Sequence, residues 1–174
     1  HTLAITTTKV ANMVDWHQYA IRYTVTPLNF SGSVQIYSEI DGSVINGNVD
    51  RYQDFDQHHL HITGMNANDH QMVMTGETKT SHINFAVGST LHMAKVKTEP
   101  TVTVAMGDNK IRQVMSTEVT TGEPVIFDKN VAIYTDLETT DQPLTQVVDD
   151  ALDSATYKQT MQQSTGYWKQ GWQN

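Results

Sequence analysis

The sequence predicts a mainly β protein, an antiparallel β-sandwich followed by a C-terminal helix. Three observations predict it. Short runs rich in Thr, Val, Ile and Tyr alternate apolar and polar residues, the period-two pattern of half-buried strands. Gly, Asn, Asp and Pro punctuate those runs at short, regular intervals, as the turns of a sandwich require. Beyond about residue 138 the pattern changes, and apolar residues recur at helical spacing instead.

The elements follow in order. Leu3 to Lys9 (LAITTTK) is β-branched and alternating. Tyr19 to Thr26 places Tyr19, Ile21, Tyr23 and Val25 on one face and Ala20, Arg22 and Thr24 on the other. Pro27 ends that run, and Asn29-Phe30-Ser31-Gly32 makes the turn, which also matches a glycosylation sequon by pattern only. Ser33 to Ile40 alternates again, with Val34, Ile36 and Ile40 inward. Asp41-Gly42 then predicts a hairpin onto Val44 and Ile45. Residues 46–57 are polar and aromatic and read as a long loop. Further strands are expected at His58 to Thr63, Gln71 to Thr75, His82 to Val87, Leu91 to Val96, Thr101 to Met106 and Ile111 to Val119. Gly64, Asn66, Asn68 and Asp69, then Gly88-Ser89, Glu99-Pro100 and Gly107-Asp108-Asn109 separate them. Val125 to Thr135 predicts a strand pair or one long strand. Asp141 and Pro143 mark a helix start, and Leu144, Val147, Val148, Ala151, Leu152 and Ala155 share its apolar face. One helix is expected to run to about Gln162, with Gly166 interrupting it. This divides the chain into a sandwich over residues 1–138 and a helical linker over 139–174.

Composition narrows the function. The 174 residues suit one domain with a core of its own. The net charge of −8 with neutral histidines argues against nucleic acid, because a phosphate-binding face needs clustered Lys and Arg. No apolar stretch approaches the roughly 18 residues that span a bilayer. There is no cysteine, so a disulfide scaffold and a thiolate metal site are excluded, and a reducing cytoplasm is the expected location. No signal peptide is visible. His1 stands directly against a strand-like run, so the natural N-terminus is expected to lie further upstream.

The residues that attract a catalytic reading each have a plainer one. His58, His59 and His61 follow Asp54 and Asp56, and His59 and His61 would share a strand face, a geometry open to a metal. No further spaced His or Glu completes a ligand set, so a solvated strand face is preferred. His17, His70, His82 and His92 are scattered singly and read as structural. Asp54 with Asp56, or Glu39 with Asp41, could be the paired carboxylates of sugar hydrolysis. Neither context would raise one pKa and leave its partner ionised, and Asp41 serves the predicted turn. Asp149 and Asp150 fall on the polar face of the helix. GxSxG, GxxxxGK and GxGxxG are absent. No catalytic, metal or cofactor-binding residue is therefore assigned. Trp168 and Trp172, four residues apart, can be read as a sugar-stacking pair. With Tyr167 they are better read as an anchor of the helix end against a second domain.

Residues 15–46, DWHQYAIRYTVTPLNFSGSVQIYSEIDGSVIN, carry a resemblance. Ala20-Ile21-Arg22-Tyr23, then Thr26 to Gly32 (TPLNFSG), then Ile40-Asp41-Gly42-Ser43-Val44-Ile45-Asn46 resemble three ordered elements of the N-terminal domain of glycoside hydrolase family 65. Lys129 to Thr135 resembles that domain's last strand, and Tyr167 to Trp172 (YWKQGW) resembles the W-x-x-x-W stretch before its catalytic barrel. The likeness is looser from Gln57 to Thr121.

The resemblance implies a large antiparallel sandwich like that of galactose mutarotase, N-terminally truncated here. It places the chemistry in a later (α/α)6 barrel that these residues do not include. It implies an inverting α-glucoside phosphorylase of the maltose, trehalose, kojibiose or nigerose type. Such an enzyme converts disaccharide and phosphate to β-glucose 1-phosphate and glucose, with no metal or organic cofactor. It also implies a homodimer whose sandwich buttresses the barrel. Two other readings stand beside it: a free-standing carbohydrate-binding module, and a domain of a trehalase-type hydrolase that uses water.

Overall fold

Nine strands and two helices form among the residues that the computed structural model describes, which are 1–47, 56–94, 98–138 and 141–172. The strands are β1 (Leu3–Ala11), β2 (Gln18–Pro27), β3 (Gly32–Asp41), β4 (Leu60–Ala67), β5 (Gln71–Thr78), β6 (Asn84–Met93), β7 (Thr101–Gly107), β8 (Lys110–Val119) and β9 (Val125–Thr135). The helices are α1 (Leu144–Ser154) and α2 (Tyr157–Gly171). A six-stranded sheet in the order β1-β2-β9-β6-β5-β4 faces a three-stranded sheet in the order β3-β8-β7, and every pairing is antiparallel. The predicted sandwich with its C-terminal helix is therefore what the chain forms. The helices lie on the outer face of the larger sheet, which makes three layers.

The core sits in two places. Between the sheets, Val25, Leu91, Met115 and Phe127 pack together, and Met72, Met74 and Ile111 form a second group under Ile40 and Ile62. On the outer face, Val73, Ala86 and Ala132 receive Val148, Ala151 and Leu152 of α1. β9 is covered on both faces. Phe127 points to the small sheet, while Ala132 lies under α1. That double burial explains why Val125 to Thr135 lacks clean alternation, and it resolves that stretch as one strand rather than a pair.

Four expectations are corrected. Gly88-Ser89 is not a turn: the two runs beside it join into β6, and Gly88 lies mid-strand opposite Val73 and Ala132. A Cβ there would lie 2.4 Å from Val148 Cγ1, so the glycine makes room for α1. Gly64 likewise lies inside β4, at a shift in its register with β5. Asp41-Gly42 does not fold back onto Val44 and Ile45, which are exposed and outside any strand. β3 pairs with β8 instead, and the Gly42 N–H donates to the Asn109 carbonyl at 2.8 Å. Finally, the helical stretch is two helices. Ala155 and Thr156 are extended, and the Thr156 hydroxyl caps α2 by accepting from the Gln159 N–H. Gly166 lies within α2 and does not interrupt it. Most of the predicted loop at 46–57 lies outside the described residues, as does Val96.

The tight turn of this sheet is elsewhere. Asp108 and Asn109 both have positive φ (50° and 58°) and link β7 to β8 as a two-residue hairpin loop.

Asp41 has a structural task. Its carboxylate accepts from Ser43 N and Oγ and from Lys110 Nζ at 2.8 Å. The Lys110 and Ser43 hydrogen bonds hold its pKa down at about 2, against an ordinary value of 3.8. A carboxylate with a depressed folded-state pKa stabilises the fold above its unfolded pKa and loses that contribution as it is protonated. The stability advantage of the wild type over Asp41→Ala should therefore be full above pH 5. It should shrink between about pH 4 and pH 2. Thermal melts of both proteins across that range read the difference directly. A constant difference would remove this role from Asp41.

Candidate functional site

The polar groups singled out in the sequence are spent on the fold. His61 on β4 faces Glu77 on β5 at 3.3 Å, and His82 reaches the same carboxylate at 3.7 Å. Asp56 binds Lys79 Nζ and the His58 N–H, both at 2.9 Å. His58 and His59 precede β4, and Asp54 lies outside the described residues. Among the described residues, no three His, Asp or Glu side chains are grouped to hold a metal. Glu39 and Asp41 pair with Arg112 and Lys110 across the β3–β8 ladder. Asp149 accepts from Gln71 Nε2, and Asp150 accepts from Gln146 Nε2 at 2.8 Å. His70 and His92 are less isolated than the sequence suggests. Partial burial, and then His70, push the His92 imidazole pKa below its ordinary value, while Asp128 pulls it up.

What the geometry does build is an end surface around α2. The helix is fixed along its first half. Arg22 makes a bidentate pair with Asp128, both bonds 2.7 Å, and its guanidinium lies 4.0 Å over the Tyr157 ring. One and a half turns later, Gln163 Oε1 accepts from Asn12 Nδ2 at 2.7 Å. Arg22 is mid-β2, and Asn12 begins the loop before it, so α2 travels toward the β1–β2 loop. At 1.5 Å per residue, the stretch after Gln163 carries the helix roughly 13 Å onward. On that stretch stand Tyr167, Trp168 and Trp172, 48%, 50% and 83% exposed. Tyr167 and Trp168 meet edge to face with centroids 5.8 Å apart. The three aromatics named from the sequence are thus presented together at one end of the fold.

Sequence reasoning missed the neighbours at this end. The β1–β2 loop exposes Val14 and Trp16, and the residues after β9 expose Leu137. Trp16 tilts over His17, and His17 stacks on Tyr134 with ring centroids 4.2 Å apart. His17 is locked by its two ring nitrogens, one 2.9 Å from the Ile133 carbonyl and the other 3.4 Å from Glu138. Asn12, 2% exposed, accepts from the Val14 and Asp15 N–H groups and so holds the loop. A Trp-His pair between two strands was the available signal.

Removing the helix aromatics should leave the fold alone. Trp168→Ala with Trp172→Ala is expected to change the unfolding free energy of the 174-residue chain by no more than about 0.5 kcal/mol, as surface changes do. Denaturant titration checks it, and a larger loss would mean that the rings are structural.

Comparison with known proteins bears on what this surface meets. The family model described as "Glycosyl hydrolase family 65, N-terminal domain" matches residues 1–171. Trehalose 6-phosphate phosphorylase of Lactococcus lactis subsp. lactis (strain IL1403) is 25% identical over 175 residues, covering 98% of this chain and 21% of that protein. A solved structure assigned as a kojibiose phosphorylase, from the human microbiome, superposes with a TM-score of 0.76 at 8% identity. That match covers 96% of this chain and 21% of the other. The chain therefore spans about a fifth of the length of each of these two proteins.

Proposed function

This chain belongs to glycosyl hydrolase family 65 through its N-terminal domain, and from that premise we propose that it is the non-catalytic sandwich of an inverting α-glucoside phosphorylase. The observation that carries the reading is the family match over nearly the whole chain, joined to its 21% share of two phosphorylases. In this reading the polypeptide continues into an (α/α)6 barrel that holds the general acid and the phosphate pocket. The acid protonates the leaving oxygen of an α-linked glucose disaccharide, such as maltose. Phosphate then attacks the opposite face of the sugar, which inverts the anomeric centre and yields β-glucose 1-phosphate and glucose. No metal or organic cofactor takes part. The enzyme acts as a cytoplasmic homodimer.

The sandwich contributes a rigid platform. Arg22, Asp128 and Tyr157 fix the first half of α2 against the sheet, and the second half delivers Tyr167, Trp168 and Trp172 to the barrel. Aromatic side chains with one exposed face are suited to such a role, because they bury large area at low entropic cost.

The test is to incubate the full-length protein with maltose, trehalose, trehalose 6-phosphate, kojibiose and nigerose, with and without inorganic phosphate. Phosphate-dependent release of β-glucose 1-phosphate from one of them is the expected outcome. Release of glucose by water alone would replace the reading with a trehalase-type hydrolase. Turnover by residues 1–174 on their own would overturn the non-catalytic assignment.

A further inference from the structure

A polar level divides the core between the sheets. Ile36, Leu91 and Met115 belong to one apolar cluster, while Ile40, Val87 and Ile111 belong to the other. On each of β3, β6 and β8, the residues of the two clusters stand four apart. Side chains two apart on a strand share a face, so the residue midway between them also points into the sandwich. Those three midway residues are Ser38, Ser89 and Gln113. They are 4%, 0% and 0% exposed.

Ser38 Oγ, Ser89 Oγ and Gln113 Oε1 are sealed from solvent and have no hydrogen-bond partner among the described residues. Gln113 is held at its other end atom, where Nε2 donates to the Asp69 carbonyl at 2.7 Å. Ser38 and Gln113 are cross-strand neighbours on the small sheet. Ser89 stands on the large sheet between Met72 and Val131, which are buried and apolar. Packed sheets lie about 10 Å apart, too far for two serines to bond directly across the interface. Their short side chains leave a gap of about 6 Å, the span of two O–H···O bonds in line. An internal water takes about three hydrogen bonds from otherwise unsatisfied buried groups, and three such oxygens from both sheets surround this gap.

We propose that one ordered water molecule is bound between the sheets at this level and joins Ser38, Ser89 and Gln113. Its two hydrogens go to Gln113 Oε1 and Ser38 Oγ, and its oxygen accepts from the Ser89 hydroxyl. Immobilising one water costs less than leaving three buried polar groups unpaired. The site ties β3 and β8 to β6, whose opposite face receives α1 at Gly88. A single strand thus couples the water between the sheets to the helix outside them. The inference uses neither the family nor the proposed activity.

A high-resolution crystal structure of the full-length protein tests it. The expected result is a single ordered water within about 3 Å of all three oxygens. Serine hydroxyls turned instead to backbone carbonyls, with no water between the sheets, would overturn the proposal. In Ser89→Val the added methyl groups take up the gap, and the water should vanish from the density. Where Ser89→Val does not fold, Ser89→Ala supplies a test by sign. Alanine leaves the water one partner short, so the amides of β6 and β8 should exchange with solvent about 5-fold faster than in wild type. Were the Ser89 hydroxyl simply buried and unpaired, alanine would relieve its cost and slow the same amides, and that result would also overturn the proposal.

Discussion

Gly88→Val is expected to lift α1 off the six-stranded sheet and to cost about 3 kcal/mol, the upper end for an overpacked core. The cause is space, not backbone conformation. A Cβ at this position lies 2.4 Å from Val148 Cγ1 and 2.8 Å from Leu152 Cδ1, and both residues are almost fully buried. The carbonyl of Met72 stands 3.4 Å away on the strand side, so the sheet has little room to give. Valine adds two methyl groups beyond that Cβ. The helix must then move outward and uncover Val73, Ala86 and Ala132. Urea denaturation should show a lower midpoint. Adding Val148→Ala to Gly88→Val should recover part of the loss, because it empties the space that the new side chain invades. A Gly88→Val protein as stable as wild type would mean that α1 is held by contacts elsewhere.

The same glycine shows where sequence reading reaches its limit. Gly-Ser between two apolar runs has the local chemistry of a turn. Its actual purpose is set by Val148 and Leu152, some sixty residues on, and no local pattern records that. Gly42 repeats the lesson. Asp-Gly is a strong hairpin signal, yet a Cβ on Gly42 would lie 2.6 Å from Ile62 Cδ1, so this glycine also serves close packing. The strands themselves were legible because their period is local. β8 and β9 form close to where the sequence places them, and β7 ends in a turn that Gly107-Asp108-Asn109 announces. The break before α2 has a local signal too, because Thr156 and Gln159 have the spacing of a capping box. Apolar periodicity alone favours one helix here, since Leu144 to Ala155 gives no hint that the next turn changes direction. As for the site, Tyr167, Trp168 and Trp172 could be named because they are aromatic and close in sequence. Trp16 and Leu137 reach the same end of the fold from loops far apart in the chain, and only the topology of β1, β2 and β9 brings them there.

Phe127→Ala should be the most damaging single truncation between the sheets, at about 3–5 kcal/mol. Phe127 is 1% exposed and packs with Val25, Leu91 and Met115. Where in that range the cost falls depends on an open cleft beside the edge of β3, because Phe127 lines it together with Ile21, Tyr23, Ile36 and Lys129. In the 174-residue chain, water can enter the space left by the ring, and the walls can relax toward the open side. The cost should then lie near 3 kcal/mol, a drop in Tm of about 10 °C for a domain of this size. Denaturant midpoints for Phe127→Ala and for Met72→Ala, in the second core group away from the cleft, supply the comparison. A cost at Phe127 near the bottom of its range, with Met72→Ala near the top of its own range of about 2–5 kcal/mol, would place the relaxation at the cleft. A cost near 5 kcal/mol at Phe127 would mean that the cleft walls hold their positions when the ring is removed.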